Sequence, residues 1–340
     1  MPSANSDLFL SPAFVYSGEA MKGIPDINEL PPPPAGRTGW PWTEGSHPLP
    51  EGDWPSITIA LPSFNQGIYL EQCIRSVILQ AYPNFTFHLR DGGSTDESEA
   101  IIHKYIPWYD SWEFGPDGGQ CAAINSVLLA SDAELGGWMN TDDFYRPNAL
   151  QHLAEAARAG PEHVVWAGNT EEIDIEDQHV RFYPPKIGEV ADLAHWYMKF
   201  GFHQPSTIFR LDLFRELTGL DPEIYTCLDV ELWLRMRARG SFGTTDEIIS
   251  TVRNNPEAKA FKFARRQMVE LLAVMHRNEQ LDAGIWRLGV FADEIERDAL
   301  RAIHDRDAEV KEEVLHQFTY RELIAHLKHR FGEKFKKEQA

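Results

Sequence analysis

A chain of 340 residues with 43% apolar and 25% charged residues has the composition of a globular protein, long enough for one large domain plus an accessory part. Its 32 basic and 52 acidic side chains leave a formal net charge of −20, which argues against nucleic acid as a partner. No apolar run reaches the roughly 20 residues of a membrane-spanning helix, Met1 to Phe14 lack the features of a secretory leader, and three widely spaced cysteines (Cys73, Cys121, Cys227) point to a reducing cytoplasm, not to a disulfide or zinc framework.

Residues 1–53 read as an extended N-terminal arm. Pro31 to Pro34 favour polyproline II, and Gly36, Gly39, Pro41, Pro48 and Pro50 punctuate the rest of the arm. A free tail rarely carries Trp40, Trp42 and Trp54, so the arm is expected to dock its indoles on the main domain.

A new pattern starts at Ser56. Ile57, Ile59 and Leu61 alternate with Thr58 and Ala60 as in a strand, and Leu70, Cys73, Ile74, Val77 and Ile78 recur at helical spacing. Phe85, Phe87 and Leu89 form a second strand that runs into Asp91-Gly92-Gly93-Ser94, where Ser94 and Glu97 have capping-box spacing. A short strand near Trp112–Phe114 precedes the turn Pro116-Asp117-Gly118-Gly119-Gln120. A helix over Ala122–Ala130 then leads to a strand over Leu135–Met139, which stops at Asn140-Thr141-Asp142-Asp143. Pro147 suits the first position of the next helix. Strands and helices alternating at this spacing predict an α/β fold with a mostly parallel sheet, in which ligands bind beyond the carboxyl ends of the strands. Residues 54–255 form this domain, and residues 256–340 read as a C-terminal helical region.

The second half brings Trp196, Tyr197, Phe200, Phe202 and His203 together and places Asp229 just before a helix. Two basic clusters follow, Lys259 to Arg266 and Lys328 to Lys337. They are read either as solvated helix faces or as a surface for anionic lipid or polyanionic glycan.

Asp142 and Asp143 adjoin a buried strand, where paired carboxylates are costly unless a cation or water satisfies them. Hard oxygen ligands suit Mg²⁺ or Mn²⁺, with phosphate oxygens completing the shell; the plain alternative is an acidic turn capping the next helix. Asp91 could accept a hydrogen bond from a base, or could bond its own turn. Asp117 has the same turn alternative. Asp229 is either the general base for an attacking hydroxyl or a helix N-cap. His203 either binds acceptor or phosphate, or is structural. No serine elbow, zinc-protease motif, phosphate loop or Gly-x-Gly-x-x-Gly fingerprint is present.

Taken in order, Leu61-Pro62-Ser63-Phe64-Asn65-Gln66, Asp91-Gly92-Gly93-Ser94-Thr95-Asp96, Pro116-Asp117-Gly118-Gly119-Gln120, Asn140-Thr141-Asp142-Asp143, His203-Gln204-Pro205-Ser206-Thr207 and Leu228-Asp229-Val230-Glu231-Leu232-Trp233 resemble the family 2 glycosyltransferases of GT-A fold. The resemblance extends over Ile57 to Arg253, and Gly39-Trp40-Pro41-Trp42 resembles the N-terminal arm of one bacterial subgroup. It implies an inverting transfer of a sugar from a nucleoside diphosphate donor, a UDP-sugar first, to a glycan or lipid-linked acceptor in polysaccharide or glycan biosynthesis. The setting would be the cytoplasm, with a peripheral membrane contact through the basic C-terminal helices as a further reading. Phe64 and Asp91 would hold the base, with Asn65, Asp117 and Gln120 lining the donor site. Asp142 would meet ribose or sugar, Asp143 a Mn²⁺ or Mg²⁺ ion, and Asp229 would be the base, with His203, Gln204 and Trp233 toward the acceptor. The sequence departs from the pattern at Asn140, where many members have Asp, at Asn125-Ser126-Val127, which replaces Asn-Lys-Gly, and at Arg253-Asn254-Asn255, which lacks a His. These departures motivate an alternative, a non-catalytic nucleotide-sugar or glycan-binding protein. A nucleotidyltransferase is disfavoured because Phe64-Asn65-Gln66-Gly67 has no Lys or Arg.

Overall fold

The computed structural model describes residues 14–16, 25–49, 52–188, 201–255 and 258–280, with 284, 285 and 289. The aromatic residues Trp196, Tyr197 and Phe200 and the basic cluster Lys328–Lys337 lie outside the described residues. Two compact units emerge. The first comprises residues 1–187, 201–223 and 228–258, and the second 188–200, 224–227 and 259–340.

In the first unit, the expected strand over Ile57–Ser63 (β2) is followed by the helix Gly67–Ile78 (α1), strand Phe85–Asp91 (β3), helix Ser98–Lys104 (α2) and strand Ser111–Phe114 (β4). Helix Gln120–Leu128 (α3) then leads to strand Leu135–Trp138 (β5). The inward residues Ile57, Ile59, Leu61, Phe87 and Leu89 share one hydrophobic core with Leu70, Cys73, Ile74 and Val77 of α1. Ile74 is fully buried there, and truncating such a side chain to Ala costs about 2–5 kcal/mol.

Strands β4, β3, β2 and β5 lie side by side and parallel, and the chain steps outward from β2 to β4 before returning to β5 on the other flank of β2. Such a reversal opens a crevice beyond the carboxyl ends of β2 and β5. Beyond β5 the sheet is mixed. Strand Thr207–Arg210 (β9) pairs antiparallel with β5 and with Val165–Ile173 (β7), and β7 pairs in parallel with Phe242–Arg253 (β10). Strands Phe14–Tyr16 (β1), Phe144–Tyr145 (β6) and His179–Tyr183 (β8) add antiparallel partners to β4, β10 and β7. The expectation of a mostly parallel sheet therefore holds for the half that carries the first motifs.

Two local expectations change. Ser94 does not cap α2, which starts at Ser98; Asp96 instead accepts the Ser98 N–H at 3.0 Å and the Gly67 N–H at 2.9 Å, joining the starts of α2 and α1. Helix Ala149–Ala159 (α4) begins after Asn148, whose φ of 60° is left-handed, so Pro147 stands outside the helix. The remaining helices of this unit are Leu211–Glu216 (α5) and Leu228–Arg237 (α6).

The arm residues 25–49 belong to the first unit and pack on α1. Arg75, 1% exposed, donates from Nε to Pro41 O (2.9 Å), from Nη2 to Trp42 O (2.8 Å) and from Nη1 to Pro31 O (2.8 Å) and Tyr105 Oη (3.0 Å). The Trp40 indole N–H donates to Tyr145 O at 2.7 Å. A guanidinium buried among carbonyls supplies the donors that an extended, proline-rich segment lacks for its own backbone acceptors.

In the second unit, helices Lys259–Lys262 (α7) and Ala264–Arg277 (α8) accompany residues 224–227. Glu270 accepts from Tyr225 N, Thr226 N and Thr226 Oγ1 at 3.1, 2.7 and 2.6 Å. Lys259 Nζ and the Arg266 guanidinium each lie 4.3 Å from the Tyr225 ring centre, so part of the first basic cluster is turned onto an aromatic side chain.

Candidate active site

Three loops meet at the crevice. Asn65 follows β2 with a left-handed φ of 50°, which Asn tolerates better than most residues. Its N–H donates to Ser94 Oγ (2.8 Å) and its Oδ1 accepts from Thr95 N (2.8 Å), so its carboxamide oxygen braces the neighbouring loop. Asp91, 1% exposed, closes its own turn: Oδ1 accepts from Gly93 N (3.0 Å) and Ser94 N (2.7 Å), and Oδ2 from Ser94 Oγ (2.8 Å). The turn reading of Asp91 thus describes three of its bonds, and further acceptor capacity remains on Oδ2.

The open side of this loop is formed by Phe64, 59% exposed, and Asp117. A Cβ on Gly92 would stand 3.2 Å from Phe64 Cδ2 and 3.3 Å from Asp117 Oδ1, so ring and carboxylate flank the bare Gly92 backbone. Asp117 Oδ1 also accepts the Gly119 N–H at 2.7 Å. An aromatic face beside a carboxylate and a glycine floor suits a flat heterocycle with an N–H edge.

Asp142 and Asp143 follow β5. Asp143 Oδ1 accepts the Arg253 N–H at 3.3 Å, and the Asn140 side chain also bonds to it. Asp142 is bonded by the side chains of Asn255 and Gln66. Burial pushes both carboxyls up, and the charge of Asp142 pushes Asp143 further. Burial, with the charges of Asp143 and Asp142, also lifts the Cys73 thiol. This acidic pair, ringed by carboxamides and only partly offset by the charge of Arg253, fits a hard divalent cation with oxygen ligands. Among the described residues no third His, Cys, Asp or Glu joins the pair in a metal-holding group, so diphosphate oxygens and water would complete the shell.

Carboxamides connect the pair to the motif after residue 200. Gln120 Nε2 donates to Asn140 Oδ1 (2.8 Å), Asn140 Nδ2 to Gln204 Oε1 (3.4 Å), and Gln204 Nε2 to Trp138 O (2.7 Å). Gln204 is 5% exposed, so it locks β5 to the following motif instead of reaching toward an acceptor. Trp233 is also corrected: it is fully buried, stacked on Trp138 with ring centres 6.0 Å apart and planes 11° apart, and offers no face to an acceptor.

Asp229 lies in the first turn of α6, its Oδ1 accepting the Val230 N–H at 2.9 Å. Burial raises its carboxyl above the ordinary aspartate range, and the charge of His203 acts in the opposite direction. His203 Nε2 lies 3.0 Å from Glu172 Oε1, and its ring meets Tyr183 edge-on at 5.0 Å. Glu172, Arg181, Arg253 and Asn255 were not singled out as site residues by sequence reasoning. Only the departure at Arg253-Asn254-Asn255 drew notice to part of this set. A cavity of about 480 Å³ lies elsewhere, beside the amino ends of β2 and β3, where Ser56, Thr58, Thr86 and His88 line it.

A crevice at a sheet reversal, with an acidic pair beyond one strand and an aromatic slot beyond its neighbour, is the arrangement of the GT-A fold. The mannosyltransferase PcManGT of Pyrobaculum calidifontis, whose structure contains GDP-Man and Mn2+, shares this fold with a TM-score of 0.53 and 15% identity, over 84% of this chain and 90% of that one. Residues 58–218 match the family model Glycosyl transferase family 2. An uncharacterized glycosyltransferase of Rickettsia typhi is 23% identical over 229 residues, which cover 65% of this chain and 70% of the relative. Protein CgeD of Bacillus subtilis is 22% identical over 241 residues, covering 63% of this chain and 54% of CgeD. The match to a Rickettsia conorii relative spans only 31% of its length.

Proposed function

We propose that this protein transfers a sugar, with inversion, from a nucleoside diphosphate donor to an acceptor hydroxyl. One observation carries the reading: the pair Asp142/Asp143, half-buried and buried in turn, follows the strand beside the one that leads into the Phe64 loop. The presence of GDP-Man and Mn2+ in a structure of the same fold accords with it.

In this reading Phe64 stacks on the base, and Asp117, with the remaining acceptor capacity of Asp91, takes its N–H edge. Gln120 and Asn65 hold the loops around the slot. Asp142 meets ribose or sugar hydroxyls. Asp143 would hold Mn²⁺ or Mg²⁺, which when bound offsets the charge that develops on the departing diphosphate. Asp229 accepts the acceptor proton on its carboxylate as the hydroxyl attacks the anomeric carbon from the opposite face. Its raised carboxyl brings it closer to neutral pH, where a general base works best.

The acceptor class is a glycan or lipid-linked sugar, and the setting is polysaccharide or glycan biosynthesis in the cytoplasm. No helix among the described residues is long and apolar enough to cross a membrane. Peripheral contact would fall to the basic C-terminal residues. The test is Asp229→Asn: donor binding should persist while turnover falls about 10²–10⁴-fold, the usual contribution of a general base. Turnover near that of the unaltered protein would remove Asp229 from the role.

A further inference from the structure

The N-terminal arm reaches the acidic pair through a continuous chain of charges. Two guanidiniums pack over the Trp42 ring, Arg37 at 5.7 Å and Arg75 at 5.6 Å from its centre. Arg75 is the buried anchor described above; Arg37 is half-exposed. Its Nη1 donates to Asp177 Oδ2 at 3.0 Å, across 140 residues of sequence. Asp177 stands in the turn between β7 and β8 at a left-handed φ of 62°, and its other oxygen, Oδ1, accepts from Arg253 Nη1.

Arg253 is the last residue of β10, and its side chain is 3% exposed. Its guanidinium packs over the Tyr69 ring at 4.8 Å, and Nη2 donates to Gln72 Oε1 at 3.2 Å. Its backbone N–H is the group that reaches Asp143 Oδ1. A buried cation beside the buried Asp143 and the half-buried Asp142 could turn toward them and take the place of a metal ion. Asp177, with Asp174 O at 3.3 Å and Gln72 Oε1, engages the guanidinium, and the hydrogen bond from Arg253 to Asp143 comes from the backbone N–H.

We propose that Arg37 is a positioning residue of the donor crevice, acting through Asp177 and Arg253 on Asp143. The arm is then part of the catalytic apparatus, and its Gly-Trp-Pro-Trp turn exists to present Arg37 as well as to cover α1. The functional half of this inference rests on the donor-binding reading above; the coupling half does not.

The experiment compares Arg37→Gln, Asp177→Asn and the double variant. Asn tolerates the left-handed turn at residue 177. Arg37→Gln acts at a half-exposed pair and should change the melting temperature little, whereas Asp177→Asn also takes a carboxylate from the buried Arg253 and should lower it, so Arg37→Gln is the decisive variant. Hydrogen exchange at the Arg253 amide and the affinity for UDP and GDP, each in the presence of Mn²⁺, are measured. Each single variant should speed exchange at Arg253 about fivefold or more and weaken nucleotide binding by a similar factor. The double variant should be no worse than the more affected single one, since all three residues act in one chain. Unchanged exchange at Arg253, changed exchange with unchanged nucleotide affinity, or additive effects would overturn the proposal. If the unaltered protein binds neither nucleotide with Mn²⁺, the donor reading fails, and exchange at Arg253 alone decides whether the arm is coupled to Asp143.

Discussion

Glu172 Oε1 and His203 Nε2 are 3.0 Å apart, and the Glu172 side chain is 3% exposed. Arg181 adds two bonds to the same carboxylate, from Nε at 2.8 Å and Nη2 at 2.9 Å. Burial on its own would raise this carboxyl, but the bonds from His203 and Arg181, with their charges, take it down to about 2 from an ordinary 4.5. His203 is thereby held facing the surroundings of Asp229, whose carboxyl responds to its charge.

A depressed folded-state pKa means that the unfolded chain binds the proton more readily. Glu172 therefore stabilises the protein above its ordinary pKa of 4.5, and that contribution is lost as pH falls toward about 2. Thermal melts from pH 6 downward should show this loss in the unaltered protein and a flatter profile in Glu172→Gln. At neutral pH the variant should also be less stable, because a buried carboxylate partner has been removed from His203 and Arg181. Parallel pH profiles for the two proteins would contradict this.

Asp143 has the opposite sign. Its folded-state carboxyl is raised by burial and then by Asp142, so the ionised form destabilises the unliganded fold, increasingly so as pH rises through the raised value. Asp143→Asn should melt about 2–4 °C higher than the unaltered protein in EDTA at pH 7, the shift expected for roughly 1 kcal/mol in a large domain. A lower melting temperature would show that Asp143 contributes to the fold instead of opposing it.

The slot over Gly92 gives a test by filling and by emptying. Phe64→Ala removes an exposed ring and should leave stability unchanged while weakening nucleotide binding by about 1–3 kcal/mol, the range for base–aromatic stacking. Gly92→Ala adds a carbon 3.2 Å from that ring and 3.3 Å from Asp117, so it should weaken the same binding with the fold intact. Calorimetric titration with UDP and GDP in Mn²⁺ reads both. Equal affinity in both variants would place the base elsewhere.

Arg75→Met should free the arm. Three carbonyls, Pro31, Pro41 and Trp42, would lose their buried donor, at a cost of about 1–3 kcal/mol for each acceptor left dry. Limited proteolysis should then cut within residues 31–49, where the unaltered protein resists. Resistance in the variant would show that the tryptophans hold the arm without Arg75.

Much of the parallel half of the sheet was legible in the chain. Period-two alternation at Ile57–Leu61 and helical spacing at Leu70–Ile78 depend on local geometry alone, and both survive in β2 and α1. The acidic and glycine-rich turns were placed at strand ends for the same reason. Antiparallel β9, inserted between β5 and β7, was not legible, because pairing of Leu135 with Arg210 and Gly136 with Phe209, so far apart in the chain, leaves no periodic trace. Trp233 and Gln204 sit in motifs that resemble those of a family, yet burial turns them to packing and bracing. Glu172 carried no signal in the sequence; only its partners on β8 and at His203, unknowable from spacing, explain a buried carboxylate. The cluster of Lys259 and Arg266 was read as a solvated face or as a surface for anionic lipid or glycan, and its packing over Tyr225 left no mark in the sequence.

The central claim is a cation-bridged nucleoside diphosphate in the crevice between Phe64 and Asp143. Its most direct measurement is the melting temperature of the unaltered protein and of Asp143→Asn with UDP-sugars and GDP-sugars, each in Mn²⁺ and in EDTA. A ligand that binds only the native state at 100 times its Kd stabilises by about 2.7 kcal/mol. The expected result is a clear rise for at least one donor in the unaltered protein with Mn²⁺, and its loss in EDTA and in Asp143→Asn. Stabilisation by a donor that is the same in all four conditions, or by none in any, would contradict the claim.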